Sequence, residues 1–255
     1  MQTDNQPDPI PAATLVIFRE TGDVPELLIV ERARGMAFAG GALVFPGGRV
    51  DPADRMLAGR IADGRDVDEL ANRIAAVRET IEEAGLPIGL SVQPDIATLA
   101  TIRAGLHAGE HLHALLGAHG ISLDLDHLVP FARWCPRHPH MRIFDTRFYL
   151  ARLPDDAPEP IVDATENVRV FWRSAQGVLD DVDRGAAHVI FPTRRNLERL
   201  AQFASFADAV ADASAFPIRT VTPWIESRAG RDHLCIPDDL GYPIPSEPVD
   251  TARRG

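Results

Sequence analysis

Apolar residues recur along this chain with two periods. Val67, Leu70, Ile74, Val77 and Ile81 are spaced 3, 4, 3 and 4 apart, the stripe of a helix buried along one face. The predicted helix runs from about Val67 to Ala84. Asp66 suits its start, with Glu69 three residues on to complete a capping box, and Gly85 suits its end. Glu79, Glu82 and Glu83 lie three and four apart, so they share a face, roughly opposite Ile81. One side of this helix is apolar and the other is anionic.

Elsewhere the apolar pattern shortens to strands. Ala13 to Phe18 and Leu27 to Val30 are apolar, β-branched runs split by Gly22, Asp23 and Pro25, which read as a hairpin or neighbouring strands. Leu128 to Trp134, Phe144 to Ala151 and Asn167 to Trp172 read as further strands, and Arg142 to Phe148 alternates as a strand with one face in a core does. Helical periodicity covers Pro94 to Leu106, Leu112 to Leu116, Ala175 to Val182 and Thr193 to Phe206, the last with Pro192 at its start. The first two of these are expected as an accessory cap outside the catalytic core.

No linker-like stretch divides the middle, so a single α/β domain over 1–255 is expected. Residues 1–11, polar with three prolines, read as a loose arm. Residues 49–66 read as a polar, glycine-broken insertion. Four prolines from Pro237 onward predict an extended tail over the surface, 237–255.

Composition adds limits. With 255 residues, 45% hydrophobic and 25% charged, the chain has the make-up and length of a globular protein with a sizeable core. The formal net charge of −11 repels nucleic acid at long range and argues against a non-specific nucleic-acid binder. The same charge means that a phosphate-rich substrate needs cations to bridge it to the protein. Cys135 and Cys235 sit in no metal-ligand spacing. No apolar run reaches the length of a membrane span. The start, MQTDNQPDPIP, has no basic residue ahead of an apolar core, unlike a signal peptide. A cytoplasmic location, without membrane or nucleic-acid partner, is the expectation.

Several residues invite chemistry, each beside a plainer role. The glutamate face suits a hard divalent cation, which prefers oxygen ligands; a solvated acidic face is the plainer reading. The glycine-dense run from Phe38 to Val44 leads into Phe45-Pro46-Gly47-Gly48, where glycine permits close backbone approach. Arg32 and Arg34, at a strand end, are either solvated or reach a substrate phosphate. Arg142 and Arg147 either bind phosphate or form ion pairs such as Arg147 with Asp145. His107 and His111 have the spacing of ligands on one helical face, or face solvent with His113.

Taken together, Gly48, Arg78-Glu79-Thr80-Ile81-Glu82-Glu83 and Gly85-Leu86 resemble the Nudix box, G-x5-E-x7-R-E-U-x-E-E-x-G-U, in which U is apolar or, at its first occurrence, often Thr. The nine positions from Arg78 to Leu86 fit without mismatch. The first half departs: Asp54 stands where the pattern has Glu, and residues 55–77 supply 23 positions where it has seven. Such an insertion is thermodynamically cheap, because closure entropy grows slowly with loop length. The flanking Phe38, Gly41-Ala42, Val44 to Gly48, the insertion within the box, Phe131-Ala132-Arg133-Trp134 and Arg142 to Phe148 resemble one Nudix branch. It holds the animal peroxisomal coenzyme A diphosphatase and many bacterial relatives, and the similarity spans roughly Thr14 to Leu200. Ala37 stands where another CoA-hydrolysing group has arginine, which leaves Arg32 or Arg34 to substitute. The chain ends Ala252-Arg253-Arg254-Gly255, without a peroxisomal tripeptide.

The resemblance implies a fold and a chemistry. The fold is the Nudix α/β/α sandwich around a mixed sheet, here with an insertion in the box and accessory helices. The reaction is metal-dependent hydrolysis of a small-molecule diphosphate, with Mg²⁺ or Mn²⁺ held by Glu79, Glu82 and Glu83. Glu166, six residues before Trp172, would add a carboxylate. Either Glu79 or Glu166 would take the proton of the attacking water, and Arg78 would orient the glutamates by ion pairing. Arg32, Arg34, Phe45, Gly47, Gly48 and Arg147 would contact substrate. CoA or acyl-CoA, giving 3′,5′-ADP and (acyl-)phosphopantetheine, is the implied substrate. A nucleotide-sugar, dinucleotide or ADP-ribose pyrophosphatase and a non-catalytic Nudix-fold binding or regulatory protein are the alternatives. Members of the family are often homodimers.

Overall fold

A computed structural model describes residues 8–36, 39–137, 142–163 and 165–252. Ala37, Phe38, His138 to His140 and Arg253 to Gly255 lie outside the described residues. The first strand, β1 (Ile10–Arg19), carries the run Leu15-Val16-Ile17-Phe18, buried on both faces. A strand covered on both sides reads as a continuous apolar run, and this one lies at the centre of the sheet. It begins at Ile10, so the stretch read as a loose arm through residue 11 ends in paired backbone. Ile10 donates its N–H to the Ile143 carbonyl.

In chain order there follow β2 (Glu26–Arg32), β3 (Leu43–Val44), β4 (Gly47–Arg49), α1 (Pro52–Ile61), α2 (Val67–Ala84), α3 (Ile96–His107) and α4 (Leu112–Ala118). Next come β5 (Val129–Trp134), β6 (Phe144–Arg152), β7 (Asn167–Arg173), α5 (Ala175–Asp183), α6 (Phe191–Leu200) and α7 (Phe206–Ala215). The chain closes with β8 (Thr220–Val221), β9 (Trp224–Arg228), β10 (Arg231–Cys235), β11 (Ser246–Pro248) and α8 (Val249–Ala252). Eight strands form one mixed sheet in the order β3-β2-β1-β6-β5-β8, with β4 paired to β1 and β7 to β2. β1 and β6 run parallel from Ile10↔Phe144 to Phe18↔Arg152, while β2 returns antiparallel beside β1. β9, β10 and β11 form a small separate sheet.

Alternation sends Leu15, Ile17 and Tyr149 to one face, where Leu70, Ile74, Val77 and Ile81 of α2 meet them with residues of α1, α3 and α4. Val16, Phe18, Phe148 and Leu150 point to the other face and pack with α5, α6 and α7. The result is the expected α/β/α layering around a mixed sheet.

The elements differ from the sequence pattern at definite places. Val67 is exposed, so the buried stripe starts at Leu70. Asp66 does cap α2, accepting from the N–H groups of Asp68 and Glu69. The Glu69 carboxylate does not return to close a capping box; Arg73 and Arg147 hold it. The helix expected from Thr193 to Phe206 is two, because Ser205 caps a new helix through Asp208 N–H. The insertion holds α1. The segment from Pro237, expected as a surface tail, is packed: Leu240 and Tyr242 are buried. Trp134 Nε1 donates to the Tyr242 hydroxyl at 2.8 Å, and that hydroxyl donates to Asn196 Oδ1 at 3.1 Å. Among the described residues no helix is long and apolar enough to cross a membrane.

Candidate active site

The apolar face of α2 fixes the helix on the sheet, and its last two turns press Glu79, Glu82 and Glu83 toward the loop that enters β4. The approach leaves no room for a Cβ unless a neighbour moves. A Cβ on Gly48 would stand 2.3 Å from Glu79 Oε1. A Cβ on Gly47 would stand 2.4 Å from the Ala13 carbonyl oxygen and 2.7 Å from Thr14 Cα. Gly47 donates its N–H to Glu83 Oε2 at 2.9 Å. The acidic face is therefore no solvated stripe: Glu83 is buried, and Glu79 and Glu82 are partly covered.

Arg78 is the hub of this cluster. Its Nη1 donates to Glu79 Oε1 at 2.9 Å and to Glu82 Oε2 at 3.3 Å. Its Nη2 donates to the Arg49 carbonyl and to Asp54 Oδ2, each at 2.9 Å. Asp54 is buried and also accepts from the Asp51 N–H at 2.9 Å, which caps α1. The aspartate stranded by the insertion in the linear pattern is thus carried back by α1 to the helix arginine. Arg78 reaches only two of the three glutamates, as the positions of the three around the helix require.

Electrostatics follow from burial. Desolvation pushes the Glu79 carboxyl up to about 8, with Arg78 pulling the other way. Burial likewise raises Glu82. It pushes Glu83 up to about 7 against the hydrogen bonds from Gly47 and Asn167 and the charge of Arg32. For Arg78, burial opposes the charge, but Glu79, Asp54 and Glu82 outweigh it and hold the guanidinium firmly protonated.

The start of β7 forms the second wall. Asn167 Nδ2 donates to Glu83 Oε1 at 3.2 Å, and both side chains are buried. The Asp163 carboxylate accepts from Thr165 Oγ1 at 2.7 Å and from the N–H groups of Glu166 and Asn167 at 3.1 Å. Burial works against its charge, yet these bonds hold its pKa below the usual carboxylate range. Glu166 stands at the rim, half-exposed, 3.7 Å from Arg32 Nη2. Arg32 keeps a buried Nε without an acceptor among the described residues. Asp163 and Asn167 were not legible from motif spacing; the only local signal was the tendency of Asp to bond backbone N–H groups just downstream.

Two residues of α3 finish the end of α2. Arg103 donates to the carbonyls of Glu82 at 2.9 Å and Ile161 at 2.7 Å, and His107 Nε2 lies 3.1 Å from the Glu82 carbonyl. Donors at a helix C-terminus satisfy its free carbonyls, and the Arg103 charge also suits the helix dipole. His107 is thus a capping group; His111 instead stacks on His113.

Other residues singled out by sequence lie elsewhere. Arg147 is paired with Glu69, ten residues before Glu79 and so about 15 Å back along the helix. The pair considered for it, Asp145, is taken by Arg133 at 2.6 Å. Phe45 is buried among Val16, Leu27 and Val189 on the opposite face of the sheet, so it supports the loop from beneath. Arg34 is exposed beside the glycine-rich turn.

Among the described residues no three acidic, histidine or cysteine side chains converge into a ready-made metal cage. The donor set nevertheless fits a hard divalent ion in kind. All the donors are carboxylate oxygens, burial leaves Glu79 and Glu83 under-compensated, and Mg²⁺ takes only one or two carboxylates alongside substrate phosphate and water.

Comparison with known proteins bears on the same region. The NUDIX domain model matches residues 8–190. The putative nudix hydrolase 7 of Caenorhabditis elegans is 29% identical over 201 residues, which cover 75% of this chain and 60% of that protein. The chain thus spans less than two thirds of that relative's length. The crystal structure of a NUDIX hydrolase from Alicyclobacillus acidocaldarius superposes with a TM-score of 0.70 at 30% identity, covering 80% of this chain and 96% of the other.

Proposed function

This chain belongs to the Nudix family, and from that premise we propose that it hydrolyses the diphosphate linkage of coenzyme A or acyl-CoA. The observation that carries hydrolysis is the gathering of Glu79, Glu82 and Glu83 beneath Gly47 and Gly48 of β4 with Arg78 between two of them. Nudix hydrolases generally use divalent metals, and Glu79, Glu82 and Glu83, with Glu166 from the rim, would hold Mg²⁺ or Mn²⁺. When bound, such an ion polarises phosphate oxygens, offsets their charge and lowers the pKa of bound water.

The chain's own groups do the rest. Arg78 and Asp54 fix the directions of Glu79 and Glu82. Gly47 and Gly48 leave the room that Glu79 and the β1 backbone occupy. Arg32, whose Nε is buried without an acceptor among the described residues, and Arg34 beside the glycine-rich turn would contact the phosphate chain. Glu79 or Glu166 accepts the proton of the attacking water. Water adds to one phosphorus and the bridging P–O bond breaks, which leaves 3′,5′-ADP and (acyl-)phosphopantetheine. The CoA substrate rests on the flanking motifs and on the insertion in the box.

Chromatography of products tests this. The protein is incubated with CoA, an acyl-CoA, ADP-ribose, NADH and a nucleotide sugar, each with Mg²⁺, Mn²⁺ or chelator, beside Glu82→Gln. Metal-dependent release of 3′,5′-ADP that the variant loses is the expected result. Turnover of another substrate instead would overturn CoA and keep the hydrolase. Binding of these ligands with no turnover would overturn the enzyme.

A further inference from the structure

Glu83 differs from its neighbours in how it is held. Glu79 and Glu82 share the Arg78 guanidinium, whereas Glu83 makes no ion pair among the described residues. Its two oxygens are taken by neutral donors, the Gly47 N–H and the Asn167 amide. An arginine there would neutralise the carboxylate. An amide orients it, and although the Arg32 charge also acts on Glu83, no guanidinium is bonded to its oxygens among the described residues. An ionised carboxylate offers about four lone-pair directions, so one bond to each oxygen still leaves coordination sites open.

A break in the β2–β7 ladder is what turns Asn167 inward. Glu31 pairs with Arg169, but Arg32 pairs with Asn167, so Val168 is an extra residue on β7. In a regular strand, Asn167 would share the outward face of Arg169, since side chains alternate. With the bulge, Val168 and Arg169 are both exposed and Asn167 is buried. Bulges recur beside functional sites because they re-aim a side chain. Asp163 fixes the same turn by accepting the Asn167 N–H at 3.1 Å.

We propose that Asn167 is a positioning residue that holds the Glu83 carboxylate in its metal-binding orientation without neutralising it. This rests on the metal-dependent reading above and extends it to a residue outside the Nudix box. Removing a group that orients a metal ligand typically weakens metal affinity 10–100-fold.

The test is Mn²⁺ binding without substrate, followed by the electron paramagnetic resonance of free Mn²⁺, for the wild type, Glu83→Gln, Asn167→Ala and Asn167→Leu. Thermal unfolding of each metal-free protein runs alongside. Leucine fills the space of asparagine without its donor. The expected result is Mn²⁺ affinity weakened by about tenfold or more in both Asn167 variants, with Asn167→Leu still folded. Wild-type affinity in Asn167→Leu, with or without a loss in Asn167→Ala, would reduce the residue to packing and overturn the proposal. Should the wild type bind no Mn²⁺, or Glu83→Gln bind it unchanged, the metal-binding role of Glu83 would fall, and the role of Asn167 with it.

Discussion

Arg78 and Asp54, twenty-four residues apart, form a buried ion pair: Nη2 and Nε of the arginine donate to the aspartate at 2.9 and 3.1 Å. Neither side chain has appreciable contact with water. Breaking such a pair from one side leaves the other charge buried and uncompensated, which typically costs about 3–5 kcal/mol. Glu79 and Glu82 remain near Arg78, so the lower end applies. Asp54→Ala is expected to lower stability by about 3 kcal/mol in urea unfolding, with an unchanged m-value. A loss below about 0.5 kcal/mol would mean that the insertion helix is not anchored through this contact.

Gly47 and Gly48 are neighbours with opposite expectations. At Gly48 a methyl group would meet the carboxylate of Glu79, the far end of a flexible side chain that can swing aside. Gly48→Ala should therefore fold normally and displace Glu79. A displacement of about 1 Å can cost on the order of 100-fold in rate, so turnover should fall by about that factor while the melting temperature stays near wild type. At Gly47 the methyl would meet backbone atoms of Ala13 and Thr14, which cannot yield without opening β1 from β4. Gly47→Ala should cost about 1–3 kcal/mol in denaturant unfolding. Equal stability of the two variants would contradict this division.

Much of the fold was legible because its signals are local. The stripe from Leu70 to Ile81 and the run Leu15 to Phe18 set α2 and β1 before any tertiary contact is known. The glutamate face was legible for the same reason, since helical geometry alone places Glu79, Glu82 and Glu83 together. What was hidden depends on distant chain. Asp54 is returned by a helix folded within the insertion. Asn167 is aimed by a one-residue bulge that no alternation pattern shows. Arg147 has a good phosphate-binding side chain, and only the packing of α2 over β6 shows that Glu69 holds it. The stretch after Pro237 was read as tail because prolines break local pattern, although Tyr242 is fixed by Trp134 and Asn196 of other elements.

The buried glutamates give the metal-free protein a pH dependence of definite sign. Burial raises Glu79 to about 8 and Glu83 to about 7, from 4.5 when unfolded, and raises Glu82 and Glu198 in the same direction. Between the unfolded and folded pKa values the native state binds more protons than the unfolded chain, so stability falls as pH rises. Their contribution is fully present below about pH 4.5 and is lost as pH rises through the folded values. Asp163 has the opposite sign, because its pKa is lowered, but it titrates below that window. Chelated protein should lose stability steadily between about pH 5 and about pH 8, read from urea midpoints across the range. A saturating divalent ion should flatten this slope, because it stabilises the ionised carboxylates by binding only the folded state. Stability that climbs across the same window in chelator would show that Glu79 and Glu83 are already ionised in the metal-free fold, and that Arg78 and Asn167 compensate them fully.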